Sequence, residues 1–257
     1  MRFASLGSGS AGNALVAEAG TTRLMVDCGF GIRETEQRLA RLGLSPQDIN
    51  GILVTHEHDD HAGGVFRFAA KHDITVWTTH GTLRAAQRYV PAGFHAPLMV
   101  IDSHTSFCVG SLEVHPFPVP HDAGEPVQYV LSDGARKLGI LTDTGSSTPH
   151  IEYMLDRCNA LVLECNHDLD MLMNGPYAWP LKQRVKSRLG HLDNATSAAL
   201  LAKLDNSKLQ HLIAAHLSEK NNTPALAVDA LAEAMTCEKE WIEVATQAEG
   251  FGWRQIV

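Results

Sequence analysis

The pattern of apolar and polar positions predicts short strands that alternate with amphipathic helices along the whole chain. The runs that are apolar and β-branched enough for strands are Phe3–Leu6, Ala14–Glu18, Arg23–Asp27, Gly51–Thr55, Thr75–Thr79, Leu112–Pro118, Val127–Leu131, Lys137–Thr142, Ala160–Glu164, Leu209–Ala214 and Trp241–Thr246. The segments with helical spacing are Gly31–Leu42, His61–Lys71, Thr82–Arg88, Pro149–Arg157, Leu181–Leu189, Asn194–Leu204 and Pro224–Met235.

The order of these elements predicts an α/β fold. Hairpins such as Ala14–Asp27 and Val127–Thr142 require antiparallel pairing, whereas helices separate other strands. We therefore expect two mixed β-sheets packed together, with helices on both outer faces. A chain of 257 residues without repeats or long linkers is within the size of one domain, so we predict a single domain over residues 1–257.

Side chains that can bind metal recur where the predicted strands end. They are Asp27, His56, His121, Asp143, Glu164 and His216. Each follows an apolar run, as His56 follows Ile52–Thr55. Strands that each stop at such a residue imply a shared edge where their loops meet, and functional sites are commonly built on such loops.

The densest group of potential ligands is the run His56-Glu57-His58-Asp59-Asp60-His61. His56 and His58 alternate after a strand, so they point the same way and can bind one metal. Asp60 and His61 begin the next predicted helix and can face a second metal. Imidazole and carboxylate ligands without thiolate suit zinc, manganese or iron. Two such cations lower the pKa of a shared water and so supply hydroxide for hydrolysis, which Asp60 could orient or deprotonate.

Charge and composition limit the binding partners and the cellular compartment that fit such a site. The formal net charge of −8 argues against broad, non-specific binding to nucleic acid, but two bound cations would dominate the field that a phosphate meets. Five cysteines without C-x-x-C spacing favour neither a disulfide framework nor a zinc ribbon. The first residues lack the apolar core of a signal peptide, and no apolar run could span a membrane. We therefore expect a cytoplasmic protein that does not bind membranes.

The run from Thr55 to His61 matches T-H-x-H-x-D-H, the signature of the metallo-β-lactamase superfamily, which this sequence resembles over nearly its whole length. The resemblance implies the αβ/βα sandwich of that superfamily and two divalent metal ions. It assigns His56, His58 and His121 to one metal and Asp60, His61 and His216 to the other, with Asp143 bridging them. It also implies that Asp27 does not bind metal itself but holds the loop that carries the metal ligands.

A second set of residues resembles the WalJ/YycJ (VicX) branch, a bacterial relative of ribonuclease Z and the β-CASP nucleases. These residues are the opening Gly7–Asn13, the segment Leu163–Asp168, the corner Gly190–Asn194 and the segment His216–Thr223. The resemblance implies an exonuclease that degrades DNA from 5′ ends. The branch usually has Ser before the Asn in its G-H-L-S-N motif, whereas this chain has Asp193, which adds negative charge.

This hypothesis gives further residues specific roles. His191 is expected to contact a phosphate oxygen or to protonate the leaving oxygen, and His167 is a second candidate for either role. Glu164 is expected not to bind metal itself but to hold the metal ligands in position. The residues expected to contact substrate are Ser8, Ser10, Asn13, Asn166, Asn194, Ser218 and Asn222. The segment Leu181–Leu189 is basic, but its cations fan around a helix, which favours a solvated face over a path for the phosphate backbone.

Other functions use the same metals. A thioesterase or lactonase would need an apolar or glutathione-shaped pocket, and a secreted β-lactamase would need a signal peptide. A ribonuclease Z-like RNA processor would carry an insertion that grips tRNA, and no long Gly-rich insertion is present. A non-catalytic scaffold is disfavoured because no ligand is missing. DNA is therefore the favoured partner over RNA, while the metal's identity and the oligomeric state stay open.

Overall fold

The computed structural model describes residues 1–257, which form two seven-stranded β-sheets. The strands are β1 (Arg2–Gly7), β2 (Ala14–Ala19), β3 (Thr22–Val26), β4 (Gly51–Leu53), β5 (Thr75–Thr79), β6 (Leu98–Ile101), β7 (Phe107–Val109), β8 (Leu112–Pro118), β9 (Val127–Ser132), β10 (Lys137–Leu141), β11 (Ala160–Glu164), β12 (His211–Ala215), β13 (Ile242–Val244) and β14 (Phe251–Gln255). One sheet has the order β14-β1-β2-β3-β4-β5-β6, and the other has the order β13-β12-β11-β10-β9-β8-β7.

Nine α-helices accompany the sheets. They are α1 (Ile32–Arg41), α2 (Asp59–Ala62), α3 (Val65–His72), α4 (His80–Ala85), α5 (Pro149–Leu155), α6 (Leu169–Asn174), α7 (Trp179–Val185), α8 (Asn194–Leu201) and α9 (Pro224–Met235). Short 3₁₀ helices cover Pro46–Asp48, Ala86–Tyr89 and Lys239–Trp241. No helix is both long enough and apolar enough to cross a membrane.

The sheets pack on each other, and helices cover their outer faces. Strand β2 shows this alternation: Leu15 and Ala17 join the core between the sheets, while Val16 joins the core beneath the helices. In β11, Val162 faces the other sheet and Leu163 faces the helical layer of its own sheet. This period of two is that of strands buried on both faces. The predicted fold of two packed mixed sheets with outer helices is confirmed.

Parallel pairing brings the strand ends to one edge. Strands β3 to β6 pair in parallel in one sheet, and β10 to β13 pair in parallel in the other. The loops after their carboxyl ends therefore leave on the same side of each sheet, as in other α/β proteins that bind ligands there. This edge is where the candidate site lies.

The sequence pattern failed at short or polar elements. It missed the edge strands β6, β7 and β14, because they span only three to five residues or carry polar side chains such as Arg254. It missed α6, which is too short to show a helical period. The helix predicted over His61–Lys71 is interrupted at Gly63 and Gly64, where a Cβ on Gly64 would lie 1.9 Å from the Phe30 carbonyl oxygen. That close approach requires glycine.

Candidate metal centre

Three of the residues that follow strands have an unusual backbone conformation. Asp27 has φ 61°, Asp143 has φ 53° and His216 has φ 56°, which places each in the left-handed region. Such a conformation costs about 1 kcal/mol or more for a non-glycine residue and is typically retained at functional sites. Each residue follows a strand and turns the chain there, so that its side chain enters a common site.

Three histidines from two loops form the first ligand group. His56 and His58 leave the end of β4, and His121 follows β8. The Nε2 atom of His121 lies 3.2 Å from Nδ1 of His58, and each ring offers a nitrogen within 4.8 Å of the others. This group could hold one metal ion.

A second group lies beside the first. It contains Asp60, His61 and His216, each of which offers one atom within 4.8 Å of the others. The Nε2 atom of His216 lies 3.3 Å from Oδ2 of Asp60 and 3.4 Å from Oδ1 of Asp143. Asp143 also joins a group with His56 and His61. Its carboxylate therefore lies between both sets of ligands, where it could contact two ions.

A buried hydrogen-bond network fixes the rings of two of these histidines. Asp27 Oδ2 accepts from Nδ1 of His61 at 2.8 Å and from the Thr55 hydroxyl at 2.8 Å. Since that hydroxyl donates to Asp27, its oxygen accepts from Nδ1 of His56, 2.9 Å away. Both rings thus carry their proton on Nδ1 and direct Nε2 into the site. A carboxylate behind a histidine is the usual way to orient a metal ligand.

Two buried atoms of the site lack hydrogen-bond partners. They are Nε2 of His56 and Oδ2 of Asp143. The Asp143 oxygen lies 2.8 Å from Nε2 of His61, and a neutral His61 ring whose Nδ1 donates to Asp27 presents a lone pair to it. Buried polar atoms without partners are costly, and lone pairs that face each other favour a cation between them. The residues present fit a metal centre.

The charges of the site support the same conclusion. Burial and the neighbouring His61 lower the pKa of His56 well below its ordinary value, which keeps this imidazole neutral and able to bind metal. Burial opposes the charge of Asp143, yet His216 and His61 hold the pKa of its carboxyl well below the usual range. The site therefore combines the neutral imidazole of His56 with the anionic carboxylate of Asp143. Although burial opposes a charge on His61, Asp143 and Asp60 raise the pKa of that ring well above its ordinary value.

Thiolates are not part of the site. Cys28 and Cys165 are buried near the strand ends, and burial raises the pKa of each thiol to about 12. Both stay protonated at neutral pH and are therefore poor ligands. Nitrogen and oxygen donors alone suit divalent zinc, manganese or iron.

His191 lies beside the two groups and is held by Glu164. Its Nδ1 donates to Oε1 of Glu164 at 2.7 Å and lies 3.3 Å from Oδ1 of Asp143. Although burial opposes a charge on this ring, Glu164 and Asp143 raise the pKa of His191 to about 9. The other oxygen of Glu164 accepts from the backbone N–H groups of Thr144 and Leu192. Glu164 thus ties the loops of the site together and leaves Nε2 of His191 available.

A cleft of about 370 Å³ opens over these groups. Its lining consists of Ser10, His58, Asp59, Asp60, Asp122, Asp143, Tyr177, Leu181, Arg184, Val185, Gly190, His191 and His216. Most of these side chains are polar. Sequence reasoning missed Asp122 and Tyr177; Asp122 adjoins His121, whereas Tyr177 lies in an irregular segment with no periodic signal.

His167 has a different position from His191. It is 1% exposed, does not line the cleft, and its Nε2 has no hydrogen-bond partner. Its pKa is lowered by burial, so the ring is neutral. The predicted catalytic role of His167 stays a prediction, and its enclosure favours His191 for direct contact with a substrate.

Of the residues expected to contact substrate, Ser10 lines the cleft. The others are buried: Ser8, Asn13, Asn166, Asn194, Ser218 and Asn222. Asn13 donates to Oδ2 of Asp60 and lies 3.0 Å from Nε2 of His61, while the Ser8 hydroxyl accepts from the backbone N–H of His216. Asn166 donates to the carbonyl oxygen of His216. In the structure, these side chains form hydrogen bonds with the loops that carry Asp60 and His216.

The remaining polar residues connect loops behind the site. Asn194 and Asn222 bond to each other through their amides, and Asn222 also donates to the carbonyl oxygen of Cys165. The Ser218 hydroxyl accepts from the backbone N–H of Asn221. These bonds fix the segments that carry Glu164 and His216.

The basic segment around α7 does not present a uniform cationic face. Lys182 is buried, and its ammonium donates to the carbonyl oxygen of Met173 at 2.8 Å. Arg184 lines the cleft and pairs with Asp122 at 2.6 Å, while Lys186 and Arg188 are exposed. The expected solvated face therefore has one exception, the buried Lys182, while Arg184 is exposed and also borders the cleft.

We predict that Asp27→Asn weakens metal binding about 10- to 100-fold, as is typical when the partner of a ligating histidine is lost. Asparagine keeps the shape and tolerates the left-handed backbone, but its amide nitrogen cannot accept from His61 or Thr55. Competition with a chromophoric chelator measures the affinity. Asp102→Asn in an exposed turn is the control. Equal affinity in wild type and Asp27→Asn would show that this carboxylate does not orient the ligands.

Comparisons with known proteins agree with this geometry. A family model described as a beta-lactamase superfamily domain matches residues 22–216. Exodeoxyribonuclease YycJ of Bacillus anthracis is 36% identical over 230 residues, which cover 88% of this chain and 86% of that protein. Exodeoxyribonuclease WalJ of Streptococcus pneumoniae is 31% identical, covering 88% and 85%. The crystal structure of the metallo-beta-lactamase fold protein YhfI from Bacillus subtilis has a TM-score of 0.75 at 13% identity and covers 98% of each chain.

Proposed function

The chain belongs to the metallo-β-lactamase superfamily, and we propose that it is an exonuclease that hydrolyses phosphodiester bonds of DNA from the 5′ end. The observation that carries this proposal is the similarity to two exodeoxyribonucleases over more than four-fifths of each protein. The uninterrupted set of nitrogen and oxygen donors supports a hydrolytic centre. Five free cysteines support a cytoplasmic location, because unpaired thiols are typical of reducing compartments.

We assign two divalent ions to the centre, with zinc or manganese favoured and iron as the further candidate. His56, His58 and His121 would hold one ion; Asp60, His61 and His216 would hold the other; Asp143 would contact both. Such a pair lowers the pKa of water and offsets the charge of the attacked phosphate. In this arrangement Asp60 also orients the nucleophile, since its carboxylate lines the cleft.

His191 is the proposed proton donor to the leaving oxygen. Glu164 and Asp143 stabilise the protonated ring, and the ring lines the cleft while its Nδ1 is occupied by Glu164. A proton on Nε2 is therefore available to a substrate atom in the cleft. The buried asparagines and serines around the ligand loops are proposed to keep this geometry rigid.

The lining of the cleft favours a phosphodiester over an acyl substrate. Acyl hydrolases need an apolar surface for the acyl group, whereas this cleft is lined mainly by acidic residues, histidines and Arg184. With metals bound, the carboxylates are neutralised and the cationic side chains can meet phosphate. The superfamily also contains acyl hydrolases, so a direct comparison of substrates is the required test.

We predict that the metal-loaded protein releases nucleotides from the 5′ end of duplex DNA and cleaves acyl thioesters and nitrocefin far more slowly. Duplexes labelled at the 5′ or the 3′ end, and RNA of the same sequence, reveal the polarity and the sugar preference in one experiment. Chelation with EDTA should abolish cleavage. Faster hydrolysis of a thioester than of any nucleic acid would contradict the proposal. Preferential cleavage of RNA would show that RNA, rather than DNA, is the substrate.

A further inference from the structure

One permanently charged cation lines the acidic cleft over the metal centre. Four aspartates border this cleft, and Arg184 is the one lysine or arginine among its lining residues. A guanidinium keeps its charge at neutral pH, and its planar fork of N–H groups matches the oxygens of a phosphate better than an ammonium does. Arg184 is therefore the lining residue whose charge and shape both suit an anionic group.

Asp122 holds the guanidinium of Arg184 at one edge only. The Nε atom of Arg184 donates to Oδ2 of Asp122 at 2.6 Å. The terminal nitrogens Nη1 and Nη2 form no hydrogen bond within the protein, and the side chain is 58% exposed. The single hydrogen bond fixes the direction of the guanidinium, while its remaining N–H groups stay available to a ligand in the cleft.

The backbone fixes Asp122 between the first ligand group and the segment after α7. Its N–H donates to the carbonyl oxygen of Leu189, and Nδ1 of the adjacent His121 lies 3.0 Å from the carbonyl oxygen of Gly190. The Oδ1 atom of Asp122 lies 3.7 Å from Nε2 of His121. Because α7 carries Arg184 and the segment after it holds the loop of His121, the position of the guanidinium relative to the ligands is set before a substrate binds.

This arrangement places the guanidinium one carboxylate away from the ligands of the first metal. A phosphate under attack lies on the metals themselves, which offset its charge. The carboxylate of Asp122 stands between those ligands and Arg184. The guanidinium therefore faces the next phosphate along the strand, to which its free N–H groups can donate charge-assisted hydrogen bonds.

We propose that Arg184 binds the phosphate that adjoins the scissile one and that Asp122 positions its guanidinium. The inference rests on the proposed nuclease function and specifies a group that the substrate must carry. For a strand degraded from its 5′ end, that group is either the terminal 5′ phosphate or the diester that follows the scissile bond. Both present the same anionic oxygens to the guanidinium. A mononucleotide ester has neither of them and cannot make this contact.

The test removes each partner of the contact separately. Metal-loaded wild type and Arg184→Gln are compared by kcat/KM for release of the first nucleotide from three DNA duplexes. The cleaved strand carries a 5′ phosphate, a 5′ hydroxyl, or a 5′ phosphate with a neutral methylphosphonate at its second linkage. Wild type should lose about 10- to 100-fold on the duplex that lacks the contacted phosphate, which identifies it as terminal or internal.

The variant should show the reciprocal behaviour. Arg184→Gln should lose about the same factor on the complete duplex, and removal of the contacted phosphate should have no further effect on it. Both proteins should cleave thymidine 5′-p-nitrophenyl phosphate at similar rates, because this ester has one phosphate only. Arg184→Lys keeps the charge without the fork and should keep part of the discrimination between the duplexes.

Arg67→Gln is the matched control, because it removes the same charge from an exposed residue of α3 that does not line the cleft. It should behave as wild type on every substrate.

Asp122→Asn tests the positioning role separately. It should reduce the discrimination between the duplexes while both metals remain bound, and the double variant Asp122→Asn/Arg184→Gln should discriminate no less than Arg184→Gln alone. An equal loss of rate on all substrates would show that Asp122 has a structural role only.

The outcomes separate this proposal from the function on which it rests. If wild type degrades DNA but Arg184→Gln has the same kcat/KM on the complete duplex, or responds to each lost phosphate as strongly as wild type does, the exonuclease function stands and the contact is wrong. An equal loss on thymidine 5′-p-nitrophenyl phosphate also overturns it, because Arg184 would then act on the scissile phosphate. A wild type that cleaves this ester but no oligonucleotide overturns the contact and the proposed function together.

Discussion

Asp143→Asn is expected to lower the rate of DNA hydrolysis by about 10³-fold or more and to leave the protein with fewer than two metal ions per chain. The carboxylate of Asp143 lies within reach of His56 in the first set and of His61 and His216 in the second, and it brings a negative charge between them. An amide keeps the size but removes that charge. Loss of several kcal/mol of electrostatic stabilisation corresponds to a rate loss of this order.

A matched control distinguishes this effect from a change in the backbone. Asp73 is exposed, ends α3 and has φ 56°, so Asp73→Asn makes the same chemical change at a residue with the same left-handed conformation. It should keep wild-type activity and metal content. Asparagine tolerates the left-handed region, so neither variant should unfold for that reason. Full activity in Asp143→Asn would exclude a bridging role for this carboxylate.

His191→Ala is expected to keep both metals and to cleave DNA about 10² to 10⁴ times more slowly, the usual contribution of a general acid. The defect should shrink with thymidine 5′-p-nitrophenyl phosphate, because p-nitrophenolate leaves without protonation. Steady-state rates on both substrates, together with metal analysis, measure this. His95→Ala, at an exposed position, is the control.

The comparison of substrates also tests the role of His191. An equal loss of rate on DNA and on the p-nitrophenyl ester would exclude proton donation and leave His191 as a group that binds phosphate. Unchanged DNA cleavage would remove His191 from the mechanism altogether. A loss of metal would instead show that the ring supports the ligands, since its Nδ1 lies close to Asp143.

Much of this site could be predicted from the sequence, because parallel strands end on one side of a sheet. Asp143, Glu164 and His216 are far apart in the chain, yet β10, β11 and β12 are neighbours and pair in parallel, so their following residues must meet. The motif from His56 to His61 supplied four more candidate ligands locally, and His121 follows the end of β8. The pattern of apolar strands that stop at polar residues thus predicted both the layers and the edge that carries the site.

Side-chain direction inside the loops could not be predicted in this way. Asn13 was expected to meet substrate, but its amide bonds to Asp60, 47 positions later, a contact set by tertiary packing. The charge of Lys182 suggested a surface residue, but the carbonyl group of Met173 holds it in a buried position. That residues 1–257 form one domain stays a prediction.

The most direct test of the account is the metal content of the wild-type protein. After dialysis against chelator, reloading with zinc or manganese and removal of excess metal, inductively coupled plasma mass spectrometry should find two ions per chain, and cleavage of 5′-labelled DNA should return with them. A protein that retains no more than trace metal after this treatment would contradict the account.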